Sequence, residues 1–399
     1  MSLHVYRTGC WNTFRESRNR YFLLKFVRRL SDTASSLRPG LILGCGSNVV
    51  DHFVYVNNQP VRSSKSLLSH DDSSTKTNVS PNSWSHVCVG GVTLNHLSWA
   101  SRLRAKCGLL AAQGTDSIGE SIREACKQYG IFTEDIVVSS QYSSSSSVVF
   151  YNSKGERSIV MARGATSLMD REFVKEHFSS SLDKACILST EISQVPLSGV
   201  LYLLRRASEK GIPSVLDVDV SLTTACQVET KLGSELEFID CLHSASVVKL
   251  SLSEAESLVR YLFPVCKLED TTCSVMQFSS ILLEKLSSAK MVIVTLGSRG
   301  SVLTSNVGSV FVASHNDTRV VDTTGAGDAY LGGVLAYLYH YGFPNSESRL
   351  LILGQVASRC ASLCCGFVGG LAPLDFSLET CLADLKNSRV EAWFPESHV

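Results

Sequence analysis

The chain has 399 residues, of which 44% are hydrophobic and 19% charged, with Lys plus Arg and Asp plus Glu both at 37. This mixture suits one large soluble α/β domain or two smaller ones and excludes a chain disordered throughout. The even balance removes the global basic field that draws a protein to nucleic acid or an anionic membrane, and leaves small neutral or anionic ligands open.

Residues 1–38 depart from the balance. Arg7, Arg15, Arg18, Arg20, Lys25, Arg28, Arg29 and Arg38 face only Glu16 and Asp32, with Tyr21, Phe22, Leu23, Leu24, Phe26, Val27 and Leu30 interleaved. An Arg-rich, acid-poor, amphipathic start is the composition of a mitochondrial or plastid transit peptide; the alternative is a basic tail on a cytoplasmic protein. Lys25 interrupts the apolar run, which is too short for a secretory core or a membrane span.

From residue 39 the chain alternates short apolar runs with helical patterns. LILGCG (41–46), GLLAAQG (108–114), ACILST (185–190), PSVLDVDV (213–220), VVKLS (247–251) and MVIVTLG (291–297) read as buried strands. Helices are expected between them, as in the run from Ser117 to a stop at Gly130. The alternation predicts a mostly parallel sheet covered on both faces. Residues 58–86 are Ser-rich and polar and read as an exposed insertion. Residues 143–163 read as two strands around Asn152–Gly155; with residues 52–57 they predict a small β lid over a ligand site. The main domain is expected to end near 385, leaving 386–399 as a tail. Fourteen Cys occur without a C-x-x-C pair, several inside apolar runs, which points to a reducing compartment rather than to disulfides or zinc.

The chemistry concentrates in DTTGAGD, residues 322–328. In the stretch that follows, Leu331, Val334, Leu335 and Leu338 have the spacing of one apolar helical face, so the stretch is a loop entering a helix. The first amides of a helix lack intrahelical partners, so those of Gly325, Ala326 and Gly327 can meet an anion. Asp328 then faces the same anion. A carboxylate beside a moving phosphoryl group has an obvious task, taking the proton of an attacking hydroxyl, and at an ordinary carboxylate pKa it is ionised at neutral pH. Asp322 and Thr324 shape the loop, with Asp322 a candidate for a monovalent cation such as K+.

These residues resemble the C-terminal signature of the ribokinase-like, or PfkB, carbohydrate kinases. In that family the last Asp is the catalytic base and the preceding amides form an anion hole, on a three-layer α/β/α sandwich with a mostly parallel central sheet and a small β lid. Further matches follow the family's order from residue 40 to about 375. GCGSNVVD (44–51) places Asp51 where the family grips substrate hydroxyls. GGVTLNHLSWASRL (90–103) resembles its N-terminal signature, implying substrate contacts from Gly90, Gly91 and Asn95. GTDSIG (114–119) resembles a turn that supports the fold, and Arg163 stands where related kinases carry an Arg near the substrate. VTLGSRGS (294–301) and CCGFVGG (364–370) resemble the segments that meet ATP, implying Thr295, Gly297, Gly300 and Gly366.

One position departs from the pattern. Where the family has N-x-x-E, organising Mg2+ through water, this chain has Ser251 and Glu254, so the carboxylate is kept and the amide donor lost.

The resemblance implies an ATP-dependent phosphotransferase acting on a hydroxyl, of the hydroxymethyl kind, of a small sugar, polyol or nucleoside, with ATP and Mg2+ and a monomeric or homodimeric state. Two rivals stand beside it: a catalytically weak member of the fold serving as an organelle-resident binding or scaffold protein, and an oxidoreductase on a dinucleotide fold. The second requires G-x-G-x-x-G, and Val49 takes the place of the third glycine.

Overall fold

Each apolar run noted above forms a strand. The computed structural model describes residues 40–56, 64–68, 84–152, 157–227, 230, 232–263, 271–315, 318–376 and 392–393. The basic segment 1–38, residues 69–83 of the Ser-rich stretch and most of 386–399 lie outside them.

The chain enters at β1 (Leu41–Cys45) and leaves the central layer through β2 (Val49–Tyr55), β3 (Ser64–Leu68) and β4 (Trp84–Gly90). It returns by helix α1 (Val92–Arg102) to β5 (Cys107–Gly114), α2 (Ser117–Gln128) and β6 (Ile136–Ser139). A second excursion forms β7 (Ser146–Tyr151) and β8 (Arg157–Ala162). After α3 (Arg171–Phe178) come β9 (Ala185–Ile192), α4 (Leu197–Glu209), β10 (Ser214–Val218), α5 (Leu222–Ala225), α6 (Glu235–Ser244) and β11 (Val247–Ser251). Then follow α7 (Leu252–Leu262), α8 (Thr272–Lys285), β12 (Met291–Thr295), β13 (Gly300–Ser305), β14 (Gly308–Ala313), α9 (Ala326–Tyr341), α10 (Glu347–Cys364) and β15 (Ala392–Trp393).

The central sheet has ten strands in the order β15-β14-β13-β12-β11-β10-β9-β1-β5-β6. It is parallel from β12 through β6 and antiparallel from β12 outward to β15. Because strand side chains alternate between faces, the sheet feeds two cores. Ile42, Leu109, Ile187, Val215, Val247 and Ile293 join one core with residues of α1, α2, α9 and α10. Leu43, Leu110, Leu188, Leu216, Val248 and Val294 join the other with residues of α3, α4, α6, α7 and α8. This is the expected three-layer sandwich. Among the described residues, no helix is long and apolar enough to cross a membrane.

The five excursion strands form a separate sheet, ordered β3-β8-β7-β2-β4. Three features differ from the sequence reading. Residues 64–68, inside the stretch read as an exposed insertion, pair in parallel with β8 along its length, and the supposed tail supplies β15 at the edge of the main sheet. Helix α9 was expected to show one apolar face, yet it is buried from Asp328 to Tyr339. Its small residues explain this: Gly332 rests on Trp99 of α1 and Gly333 on Ala357 of α10, where a Cβ would come within 2.4 and 2.8 Å of them.

Candidate active site

Helix α9 begins at Ala326, and Gly325 before it has φ 74 and ψ 2, the left-handed conformation. A Cβ there would lie 2.3 Å from the Gly370 Cα, so the residue must be glycine for its conformation and for its neighbour. No side chain caps the helix, which leaves its first turn open to a ligand. The three-amide cradle read from the sequence needs one correction. The Ala326 N–H donates to the Thr323 carbonyl at 3.3 Å, because the loop closes as a tight turn before the helix starts.

The loop is tied to the segment following α10. Asp322 accepts from the Thr324 N–H at 3.0 Å, the Thr324 hydroxyl at 2.8 Å and the Gly369 N–H at 3.1 Å. Cys364 Sγ bonds the Thr324 carbonyl at 3.4 Å, and Trp99 Nε1 the Gly370 carbonyl at 2.9 Å. Asp322 therefore holds the loop in shape.

Asp328 is 8% exposed and accepts a 2.7 Å hydrogen bond from Asn95 Nδ2 of α1. Two residues predicted separately, 233 positions apart, thus meet. Around them stands a buried group that the sequence reading left unassigned. Lys249 of β11 donates to both oxygens of Asp217 on β10, at 2.8 and 3.0 Å. His96 Nε2 lies 3.2 Å from Asp217 Oδ2, and its Nδ1 lies 3.3 Å from Ser189 Oγ. Lys249 Nζ also lies 3.1 Å from where a Cβ of Gly327 would be, so the ammonium abuts the first turn of α9.

Burial raises the Asp328 pKa; His96 and Lys249 oppose the rise, while Asp219 and Asp217 add to it. The ordinary pKa expected from sequence does not hold, because the carboxylate sits inside the protein. Burial would raise Asp217 too, but Lys249 and His96 outweigh it and hold it below the usual carboxylate range. Burial works against the charge on Lys249, yet Asp217 and then Asp328 push it above the ordinary lysine range. Donor atoms of His96, Asp217 and Asp328 lie within 4.8 Å of one another, the spacing of a metal site. Lys249 already supplies the balancing positive charge there.

The residues expected to meet the substrate lie around the ends of β1 and β9. A Cβ on Gly90 would lie 2.7 Å from Asp51 Oδ2 and 3.7 Å from Asn95 Oδ1, so these side chains meet above that glycine. Ser147 of β7 donates to Asp51 Oδ1. Gly91, with φ 109, precedes α1 and passes so close to Ser47 that a Cβ would lie 2.6 Å from its carbonyl. Glu191, also unassigned from sequence, accepts from the Ser47 N–H at 2.9 Å and the Thr93 hydroxyl at 2.8 Å. Burial pushes its pKa to about 7 against the pull of Ser47. Arg163 follows β8 and reaches the chain just beyond β9, donating to the Gln194 carbonyl at 3.4 Å.

On the other side, Thr295 ends β12 opposite Ser251 at the end of β11, and Ser301 of β13 bonds Tyr330 of α9 at 2.9 Å. Gly297 opens the turn between β12 and β13, with nothing within 4 Å of its Cβ position. Gly300 has a packing reason to be glycine, since a Cβ would lie 2.0 Å from the Val312 carbonyl. Gly366 follows α10, and the neighbouring Cys365 carbonyl accepts the Val321 and Asp322 N–H groups at 2.7 and 3.2 Å. Glu254 accepts from the hydroxyls of Ser251 and Ser253. The hydroxyl that replaces the usual amide is therefore turned onto the carboxylate. One carboxylate among hydroxyls fits a hard cation held mainly by phosphate oxygens.

The pfkB family carbohydrate kinase pattern matches residues 68–376. The chain belongs to the pfkB family of carbohydrate kinases. This makes it an enzyme of the carbohydrate or nucleoside kinase class. It is 30% identical over 260 residues to a ribokinase of Mus musculus, across 63% of this chain and 72% of that protein. A fructokinase of Salmonella typhimurium is 24% identical over 298 residues, across 72% of this chain and 89% of the relative. The fold matches adenosine kinase from Sinorhizobium meliloti with TM-score 0.68 at 18% identity, covering 88% of this chain and 100% of that one. The ribokinase-like architecture expected from the motifs is thus the observed one.

Proposed function

We propose that the protein transfers the γ-phosphoryl group of ATP to a hydroxymethyl-type hydroxyl of a small sugar, polyol or nucleoside, with Asp328 as the base. The observation that carries this reading is the position of Asp328: buried in the first turn of α9, bonded to Asn95, beside the open helix terminus and Lys249. A carboxylate raised by burial binds a proton more strongly than an exposed one, which suits it to draw the proton from an attacking hydroxyl. Charge that develops on the moving phosphoryl group meets the amides of Gly325 and Gly327 and the α9 dipole. Lys249 adds a cation beside the same turn.

Asp51, Asn95 and the Gly90–Gly91 backbone would hold the acceptor's hydroxyls. Thr295, Gly297 and Gly366 would border the nucleotide, and Glu254 would hold magnesium through water. When bound, magnesium neutralises phosphate charge. K+ beside Asp322 would strengthen the loop that presents the amides. The scaffold reading rested on the transit-like N-terminus and Ser251; the intact GAGD loop and the Ser251 hydroxyl on Glu254 favour a working enzyme instead. Residues 1–38 we assign to organelle targeting, which import of a fluorescent fusion tests.

The reaction is tested by ADP release with magnesium, potassium and a panel of sugars, polyols and nucleosides. At least one compound should release ADP with wild type and none with Asp328→Asn. Equal release by the two proteins would overturn the assignment of the base.

A further inference from the structure

Among the described residues, four buried side-chain atoms near the ends of β1 and β9 make no hydrogen bond: Asn95 Oδ1, Arg163 Nε, Ser193 Oγ and Gln194 Oε1, while Ser47 is held by Glu191. Ser47 follows β1, and Ser193 and Gln194 follow β9, its neighbour in the sheet. Ligands of open α/β sheets bind at these carboxyl ends of strands. Asn95 ties the group to Asp328. A buried polar atom without a partner is costly, so several of them around the carboxyl ends of neighbouring strands mark groups that a ligand completes.

Arg163 is the exceptional member. It is 5% exposed, and among the described residues no carboxylate pairs with it; its side chain makes one hydrogen bond there, the 3.4 Å contact to the Gln194 carbonyl. Burial pulls its pKa down. The nearby Glu191 is committed to Ser47 and Thr93. Buried guanidinium groups are ordinarily matched by an anion, commonly with the paired geometry their planar fork favours.

Resting on the kinase reading above, we propose that the acceptor substrate carries a fixed negative charge, a carboxylate or phosphate ester that pairs with Arg163 while its hydroxyls reach Asn95, Ser193 and Gln194. The orphan acceptors Asn95 Oδ1 and Gln194 Oε1 call for hydroxyl donors, and the orphan Nε–H of Arg163 calls for an anionic acceptor. A polyhydroxylated anion supplies both. Arg163 follows β8 of the smaller sheet, so pairing there also ties that sheet to the end of β9.

The test measures kcat/KM for ADP release on matched sets: a neutral aldose, the corresponding aldonate and the corresponding aldose phosphate. Wild type should favour an anionic member by about tenfold or more, the size of one charge-assisted hydrogen bond. Arg163→Gln should bring that ratio towards one, and Arg163→Lys should keep part of it, which separates loss of charge from loss of fold. The aldonate and phosphate arms decide which anion is read. Preference for the neutral member, or a ratio unmoved in Arg163→Gln, overturns the proposal while leaving the kinase intact. If no compound gives Asp328-dependent ADP release, the kinase reading fails separately. The anion site is then judged by melting temperature: aldonate or aldose phosphate should raise it in wild type and not in Arg163→Gln, and equal or absent shifts overturn the site.

Discussion

Replacing Lys249 with Met removes the one buried cation that bonds both oxygens of Asp217, at 2.8 and 3.0 Å. Asp217 is 0% exposed, so the variant leaves it facing His96, at 3.2 Å. Breaking a buried pair from one side costs about 3–5 kcal/mol, because the remaining charge is stranded. The double variant Lys249→Met with Asp217→Asn removes both charges and should recover much of that loss; the coupling is read from a double-mutant cycle of urea unfolding. Activity gives an independent reading. Lys249 lowers the Asp328 pKa, so its removal raises that pKa further. The base must be ionised to act, so the acid limb of the kcat/KM profile should move to higher pH. A single variant as stable as wild type, or an acid limb that stays in place, would refute this account of the network.

Gly325→Ala forces a side chain into left-handed backbone and places its Cβ 2.3 Å from the Gly370 Cα. We expect a loss of about 2–4 kcal/mol from strain and overpacking, and of about a hundredfold in kcat as the amides shift, measured by urea unfolding and ADP release. Glu191 is raised from 4.5 to about 7 in the fold, so its contribution to stability is present at low pH and is lost as pH rises through about 7. Glu191→Gln should flatten that part of the melting-temperature profile between about pH 4.5 and 7; an unchanged profile would show that Glu191 is not the group responsible.

The parallel strands were legible because burial on both faces makes them continuous apolar runs, and the DTTGAGD loop because glycine and acid ahead of a helix have few physical uses. Strand β3 was not legible: SKSLL in a Ser-rich stretch lacks clear apolar alternation, and only its pairing with β8 defines it. The His96, Asp217, Lys249 and Glu191 group was missed because its members are distant in sequence. A signal was nonetheless there. Lys249 stands inside the buried run VVKLS and Asp217 inside SVLDV, and charged residues within such strands require partners. Neighbouring parallel strands then place Asp217 beside Lys249 in register. The all-round burial of α9 was obscured in a different way, since its glycines give close approach rather than an apolar period.

The central claim is that Asp328 is the base of a phosphoryl transfer. Its most direct test is the single-turnover transfer of labelled γ-phosphoryl from ATP to the acceptor, beside ATP affinity, in wild type and Asp328→Asn. The account predicts that the variant binds ATP within about twofold of wild type while transfer falls by about 10²–10⁴-fold, the usual contribution of a positioned base. Transfer within tenfold of wild type, with ATP affinity preserved, would contradict it.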